Sequence, residues 1–308
     1  MSPSHPGRWL AVLALVFNAF TWGLSWWPFR QLLGQGVHPL WLTTLTFAAA
    51  VLLVSVTRPV AWLELLRTPS LWWLVLASGL TNACFNWAVA IGDVVRVVLL
   101  FYLMPLWALL LARLLLGERI SALGALRVAL ALGGALVVLW PDGQAAANGL
   151  SDSHPPAWAD WPLPRSLPDL LALAGGFTFA LNNVMLKREA HRGEAARALA
   201  MFSGGSAVSL LLALALQHAG DVPALPAIAP GWLLGTLALA AWFLSSNLAL
   251  QYGAGRLPAN TTSVVMVSEV AFASGSAVAL GAGSLSAATL LGGGMILSAA
   301  VLAVLPAA

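Results

Sequence analysis

Long apolar stretches alternate with short polar segments along the whole chain. A bilayer core of about 30 Å is crossed by roughly 20 apolar residues in a helix. Stretches of that length predict ten transmembrane helices, called spans 1 to 10, near residues 9–29, 40–57, 71–91, 95–116, 122–140, 168–187, 197–217, 231–251, 259–281 and 287–305. The pattern therefore predicts an all-α integral membrane protein.

The composition agrees with a membrane location. Sixty per cent of the 308 residues are apolar and only 8% are charged, whereas a soluble domain has about 25% charged residues. So few charges could not cover a soluble surface, which excludes a soluble enzyme, a nucleic-acid-binding protein and a disordered protein. The single cysteine, Cys84, permits neither an internal disulfide nor a cysteine-based metal site, and we expect no cofactor.

The basic residues predict the orientation in the membrane. Eleven of the 14 Lys and Arg residues lie in segments on the same side as the N-terminus. Because positively charged segments stay in the cytoplasm, both termini are expected there. The longest loop, 142–167, would lie outside, and it contains three Asp, one Arg and no Asn-x-Ser/Thr sequence. These features fit a multi-pass protein of a bacterial inner membrane.

Two pairs of similar motifs lie five spans apart. Residues 20–30 match residues 177–187 with a spacing of 157, and residues 86–92 share the pattern Asn-x-Ala-x-x-x-Gly with residues 247–253. Since five is odd, the second set of spans would cross the membrane in the opposite sense, as in the inverted repeats of secondary transporters. The predicted organisation is a first five-helix repeat, an extracytoplasmic loop and a second repeat, at 1–141, 142–167 and 168–308. Chance similarity between apolar stretches is the alternative.

A longer motif resembles a known family. Residues 104–121 contain a mid-helix proline, Pro105, then Leu-Gly-Glu-Arg, then Ser121. This pattern resembles the span 4 to span 5 signature of the drug/metabolite transporter superfamily, EamA type. Residues 268–281 are similar to span 9 of that family, but Gly-Ala-Gly-Ser at 281–284 replaces its common Gly-Glu-x-Leu. The resemblance implies a ten-helix exporter rather than an enzyme, and the aromatic richness is similar to that of YddG-type amino acid exporters.

The predicted function is therefore a secondary transporter that exports small metabolites by alternating access. Amino acids, aromatic or otherwise neutral, are the favoured substrates, and drugs or other cationic, amphipathic small molecules are the alternative. A channel or an intramembrane enzyme is disfavoured, because the sequence has no filter-like loop and every histidine lies in a loop or at a span end. The expected partners are a small-molecule substrate and the lipid bilayer, without nucleic acid, and the expected working unit is a monomer.

One acidic residue and one proline lie deep within the spans. Glu269 alone of the 11 acidic residues falls near a span centre, where insertion of a charge costs roughly 2.5–3.5 kcal/mol. It could bind a cationic substrate group or carry a proton, or it could be a protonated residue with a structural hydrogen bond. Pro105 cannot donate to the carbonyl of Phe101, so it is either a hinge or a static kink.

Few other polar residues lie inside the spans, and these are the candidates for substrate contacts. The resemblance implies that spans 1, 3, 4, 6, 8 and 9 line a central cavity. Interhelical hydrogen bonds, worth about 0.6 kcal/mol each, are the structural alternative for each residue. With two deep tryptophans as aromatic walls, the predicted substrate-binding residues are Asn18, Trp22, Asn82, Asn86, Tyr102, Asn182, Asn183, Trp242, Ser246 and Glu269.

Overall fold

The computed structural model describes residues 5–116, 122–140, 163–254, 256–257 and 265–302. Every regular element within these ranges is helical, and we number the helices in chain order. They are α1 (His5–Leu24), α2 (Trp26–Leu33), α3 (Pro39–Thr57), α4 (Val60–Arg67), α5 (Leu71–Ile91), α6 (Val94–Phe101), α7 (Met104–Leu116), α8 (Ala122–Leu139), α9 (Leu167–Arg188), α10 (Glu194–Ala219), α11 (Pro230–Ala254), α12 (Ser268–Ala279) and α13 (Ala287–Leu302).

Eight helical stretches in the described ranges are long and apolar enough to cross a membrane. They correspond to spans 1 to 8, which confirms a multi-pass, all-helical membrane protein. α12 has 12 residues and α13 has 16, and both the beginning of span 9 and the end of span 10 lie outside the described residues. The total of ten spans therefore stays a prediction, as does the loop 142–167, of which only 163–167 is described.

Large apolar side chains cover the outside of the helices. Val56, Leu114 and Leu211 are 74, 78 and 66% exposed. In water such side chains would cause aggregation, whereas lipid chains provide an apolar solvent for them. The exposed leucines and valines are therefore the surface that faces the bilayer.

Prolines interrupt two of the spans. α1 ends at Leu24 and α6 ends at Phe101, and each of these residues lies four positions before a proline, Pro28 or Pro105. Proline has no N–H to donate to the carbonyl four residues earlier, so the regular helix ends there. The interruption near Pro105 is thus present in the structure, while its role as a hinge remains a prediction.

Nearby residues of the same chain pack or hydrogen-bond at each of these two interruptions. At the first, the backbone N–H and the hydroxyl of Ser25 both donate to the carbonyl of Trp22, at 3.1 and 2.7 Å. At the second, Gly176 of α9 approaches so closely that a Cβ there would lie 2.7 Å from the carbonyl oxygen of Phe101. A third interruption, a turn at Val267, precedes α12 and has no proline beside it.

The helices pack in a few extensive pairs. α5 packs against α9 and α10, α1 packs against α11 and α12, α3 packs against α10, and α8 packs against α13. The last pair crosses at Gly134 and Gly292, where a Cβ on either glycine would come within 2.6 Å of the other's carbonyl oxygen. Only glycine permits so close an approach of two backbones.

One short helix lies outside the predicted spans. α4 lies between spans 2 and 3, buries Ala61 and Leu65, and exposes Val60 and Leu66. A carboxylate oxygen of Glu64 accepts a hydrogen bond from the backbone N–H of Gly193, 3.1 Å away. This contact attaches the short helix to the start of α10.

Candidate functional site

Within the described residues, the three helix interruptions at Ser25, Tyr102 and Val267 lie close to Glu269. Gly23, just before the Ser25 interruption, packs on α12, where its Cβ would lie 2.8 Å from the carbonyl oxygen of Glu269. At the interruption between α6 and α7, the hydroxyl of Tyr102 lies 3.4 Å from Glu269 Oε2 and 3.4 Å from the carbonyl oxygen of Met266. We call the segments 23–25, 102–103 and 266–269 the break site.

The break site combines a carboxylate with irregular backbone. Glu269 is half-buried and lies in the first turn of α12, where the helix dipole favours a negative charge. Interrupted helices leave backbone donors and acceptors outside the regular ladder, and within a membrane these are tolerated only where they find partners or line a cavity. The arrangement can therefore bind a cationic group or exchange a proton through Glu269.

Aromatic rings from α1 and α11 pack next to α12, near the break site. The ring of Phe20 contacts Phe272 edge-on, with centroids 5.5 Å apart, and it lies 6.1 Å from the ring of Trp242. Trp22 packs against Phe243 at 4.5 Å. Trp242 thus belongs to the ring cluster that includes Phe272, whereas Trp22 packs against Phe243 on α11. The sequence prediction did not include Phe20 or Phe272. The spacing could have revealed Phe272, which follows Glu269 by three residues and shares its helix face.

A buried polar pair extends the site along α1. The amide nitrogen of Asn18 donates to the hydroxyl of Ser246, at 2.6 Å, and to its backbone carbonyl, at 3.0 Å. Both residues are fully buried, and the Asn18 amide oxygen has no partner among the described residues. Asn18 lies four residues before Trp22, so the two side chains share one face of α1.

The other predicted polar residues contact different parts of the protein. Asn86 donates to the hydroxyl of Thr43 on α3, at 3.0 Å, and Asn82 donates to a carbonyl of its own helix. Asn182 is buried on α9, whereas Asn183 is exposed. The structure therefore does not bring the asparagines into one group, because most of their side chains point to separate helix contacts.

An open depression lies at the helix ends rather than at Glu269. It has a volume of about 670 Å³ and is lined by Arg30, Leu33, Gly34, residues 90–93 and residues 281–284. Gly281 follows Glu269 by 12 residues, which corresponds to roughly 18 Å along a helix. The family resemblance implied a cavity at the centre of the helices. This depression at the helix ends was not predicted. No cluster of three metal-ligating side chains occurs in the described ranges.

A buried ion pair joins three helices near the same end. The guanidinium of Arg96 on α6 donates to both carboxylate oxygens of Asp169 on α9, at 2.8 and 3.1 Å, and to the carbonyl of Val138 on α8, at 2.7 Å. Asp169 is only 3% exposed. Such a two-pronged contact fixes both side chains and orients the three helices.

Three comparisons with known proteins bear on the family and the fold. Residues 9–140 match the model of the EamA-like transporter family. No curated protein sequence matches the chain. A solved structure titled "Crystal structure of protein" aligns over 96% of this chain and 96% of its own, with a TM-score of 0.55 and 19% sequence identity. This likeness shows a shared fold.

Proposed function

We propose that the chain is a secondary transporter of the drug/metabolite transporter superfamily, which exports small metabolites by alternating access. The match of residues 9–140 to the EamA-like transporter family supports this proposal. The observation that carries the proposal is the convergence of three interrupted helices on Glu269. In secondary transporters, interrupted helices form the substrate site near the middle of the bilayer. The break site fits this role, because a carboxylate, a hydroxyl and backbone groups meet there.

Corresponding helix pairs support an arrangement of two inverted repeats, 1–141 and 168–308. α1 packs against α11 as α9 packs against α5, and α1 packs against α12 as α9 packs against α6 and α7. The individual contacts correspond as well. Trp242 donates to the carbonyl of Thr21, at 3.2 Å, and Thr81 donates to the hydroxyl of Thr178, at 3.0 Å. Thr178 follows Thr21 by 157 residues, which is the spacing of the repeated motifs.

The favoured substrate is an amino acid with an aromatic or other neutral side chain. Its ammonium group would bind Glu269, and its side chain would pack on the rings of Phe20, Phe272 and the two tryptophans. Asn18 and Ser246 would line the neighbouring part of the path. The alternative is a cationic, amphipathic drug, which the same carboxylate and aromatic rings would bind. Such a drug has no carboxylate, so the site would need no partner for one.

Counterflow in proteoliposomes tests the proposal. Liposomes that contain the purified chain are preloaded with unlabelled substrate, and uptake of external tracer is followed for phenylalanine, leucine and tetraphenylphosphonium. A carrier gives a transient accumulation of tracer that depends on the preload, and we expect this for an amino acid. Tracer entry that is independent of the preload would indicate a channel, and accumulation of tetraphenylphosphonium alone would favour the drug exporter.

We further propose that the protein lies in a bacterial inner membrane with both termini in the cytoplasm. The excess of basic residues in the segments on the N-terminal side motivates this orientation. Alkaline phosphatase, which is active only outside the cytoplasm, should be active when fused after Ala146 and inactive when fused after Ala308. Activity in the Ala308 fusion, or none in the Ala146 fusion, would contradict the orientation.

A further inference from the structure

Two interhelical segments, one from each half of the sequence, are hydrogen-bonded to each other beside the depression. Asp93, between α5 and α6, accepts hydrogen bonds through Oδ2 from the backbone N–H of Ser284, at 2.9 Å, and from its hydroxyl, at 3.3 Å. The backbone N–H of Val94 donates to the carbonyl of Ala282, at 3.2 Å. These contacts join the first half of the chain to the turn between α12 and α13.

The same carboxylate also begins a helix. Asp93 Oδ1 accepts a hydrogen bond from the backbone N–H of Arg96, at 2.9 Å, so Asp93 is the N-cap of α6. The turn fits closely against this cap, because a Cβ on Gly283 would lie 2.7 Å from Val95. Gly281 has a φ of +68°, which glycine adopts at little cost. Asp93 therefore holds both the start of α6 and a tightly fitted turn.

A second set of contacts closes the same end of the helices. The indole N–H of Trp26 on α2 donates to the hydroxyl of Ser276 on α12, at 3.0 Å. The guanidinium of Arg30 donates to the carbonyls of Val89 and Gly92 at the end of α5. These polar groups around the depression bind one another, which suits a closure better than a ligand site.

We propose that Asp93 and the turn 281–284 form an outer latch, a contact between the halves that holds the extracytoplasmic mouth of the transport path closed. This inference rests on the proposed function and the proposed orientation. Alternating access requires the outer mouth to open, so Asp93 must exchange its hydrogen bonds to Ser284 for water in each cycle. The latch thereby biases the protein towards the state that is closed to the outside.

The second half of the sequence does not repeat this acidic residue. The repeated motifs align Gly92 with Gly253, so the residue that corresponds to Asp93 is Ala254. Alanine has no carboxylate. At this corresponding position, the second half therefore offers no carboxylate for the hydrogen bonds that Asp93 makes.

Thiol labelling tests the latch without a substrate. In a Cys84→Ala background, Ser276→Cys places one reporter thiol on α12, five residues before Gly281, and a membrane-impermeant maleimide is added outside spheroplasts. Every variant carries this thiol, so its effect on the Trp26 contact is the same in all of them. We expect Asp93→Ala to raise the labelling rate about tenfold, because a hydrogen bond to a charged group contributes roughly a factor of ten or more to the closed state. Asp93→Asn should give an intermediate rate.

Asp221→Ala is the matched control, because Asp221 is an exposed acid in a loop expected on the same side of the membrane. Its labelling rate should equal that of the parent. An unchanged rate in a folded Asp93→Ala variant would overturn the latch, and so would equal increases in both variants. Since labelling needs no substrate, the latch can be refuted while counterflow succeeds, and it can be supported while every tested substrate fails.

Discussion

Replacing Glu269 by Gln is expected to reduce substrate counterflow about tenfold or more while the protein stays folded. Gln preserves the size of the side chain and can still accept a hydrogen bond from Tyr102, which lies 3.4 Å from the carboxylate. It removes the negative charge and the exchangeable proton. A charge-assisted hydrogen bond to a substrate ammonium contributes roughly 1.5–3 kcal/mol, so its loss corresponds to this decrease. Counterflow rates measured alongside melting temperatures check the prediction.

Two variants separate a transport role from a structural one. Asp221→Asn neutralises an exposed acid and should leave counterflow unchanged. Tyr102→Phe removes the hydroxyl that contacts Glu269 and should cause a smaller decrease than Glu269→Gln, because the carboxylate remains. If Glu269→Gln transports at the parental rate with an unchanged pH profile, the carboxylate is structural and the proposed site is wrong.

The ion pair of Arg96 and Asp169 should have the largest effect on stability. Asp169→Ala is expected to lower the free energy of unfolding by about 3 kcal/mol, because it leaves a guanidinium unpaired among three helices. The estimate lies at the low end of the range for buried pairs because the Arg96 side chain is 32% exposed. Denaturation of the purified protein in detergent checks the change.

A double variant distinguishes loss of the pair from loss of packing. In Arg96→Met/Asp169→Leu, apolar side chains replace both charges, and much of the lost stability should return. Stability of Asp169→Ala within about 0.5 kcal/mol of the parent, as is usual for surface positions, would show that the pair contributes little. Equal losses in the single and double variants would assign the effect to packing instead.

The pattern of apolar residues was sufficient to predict spans 1 to 8, but it could not predict which helix faces meet. Apolar side chains surround each helix because lipid is also an apolar solvent, so no polar stripe marks the inner side. Asn86 and Asn183 were therefore indistinguishable in sequence, although one is fully buried and the other is exposed. Only the packing of neighbouring helices decides this, and packing depends on contacts between distant residues.

The candidate site was predictable in its chemistry and not in its assembly. Glu269 stood out as an acid within a span, and Pro105 indicated an interruption because it lacks an N–H. The turn at Val267 has no proline beside it, and it lies next to the contacts of Gly23 and Tyr102 with the 266–269 segment. Tyr102 and Glu269 are 167 residues apart, so their contact follows from the fold and no local motif records it.

A structure determined with bound substrate tests the central claim most directly. Cryo-electron microscopy of the chain, saturated with the compound that gives the strongest counterflow, should show substrate density beside Glu269 and Tyr102. The ammonium group should lie within hydrogen-bond distance of the Glu269 carboxylate, and the rest of the molecule should contact Phe20 or Phe272. Density confined to the depression beside Arg30, with the break site closed around its own side chains, would contradict the account.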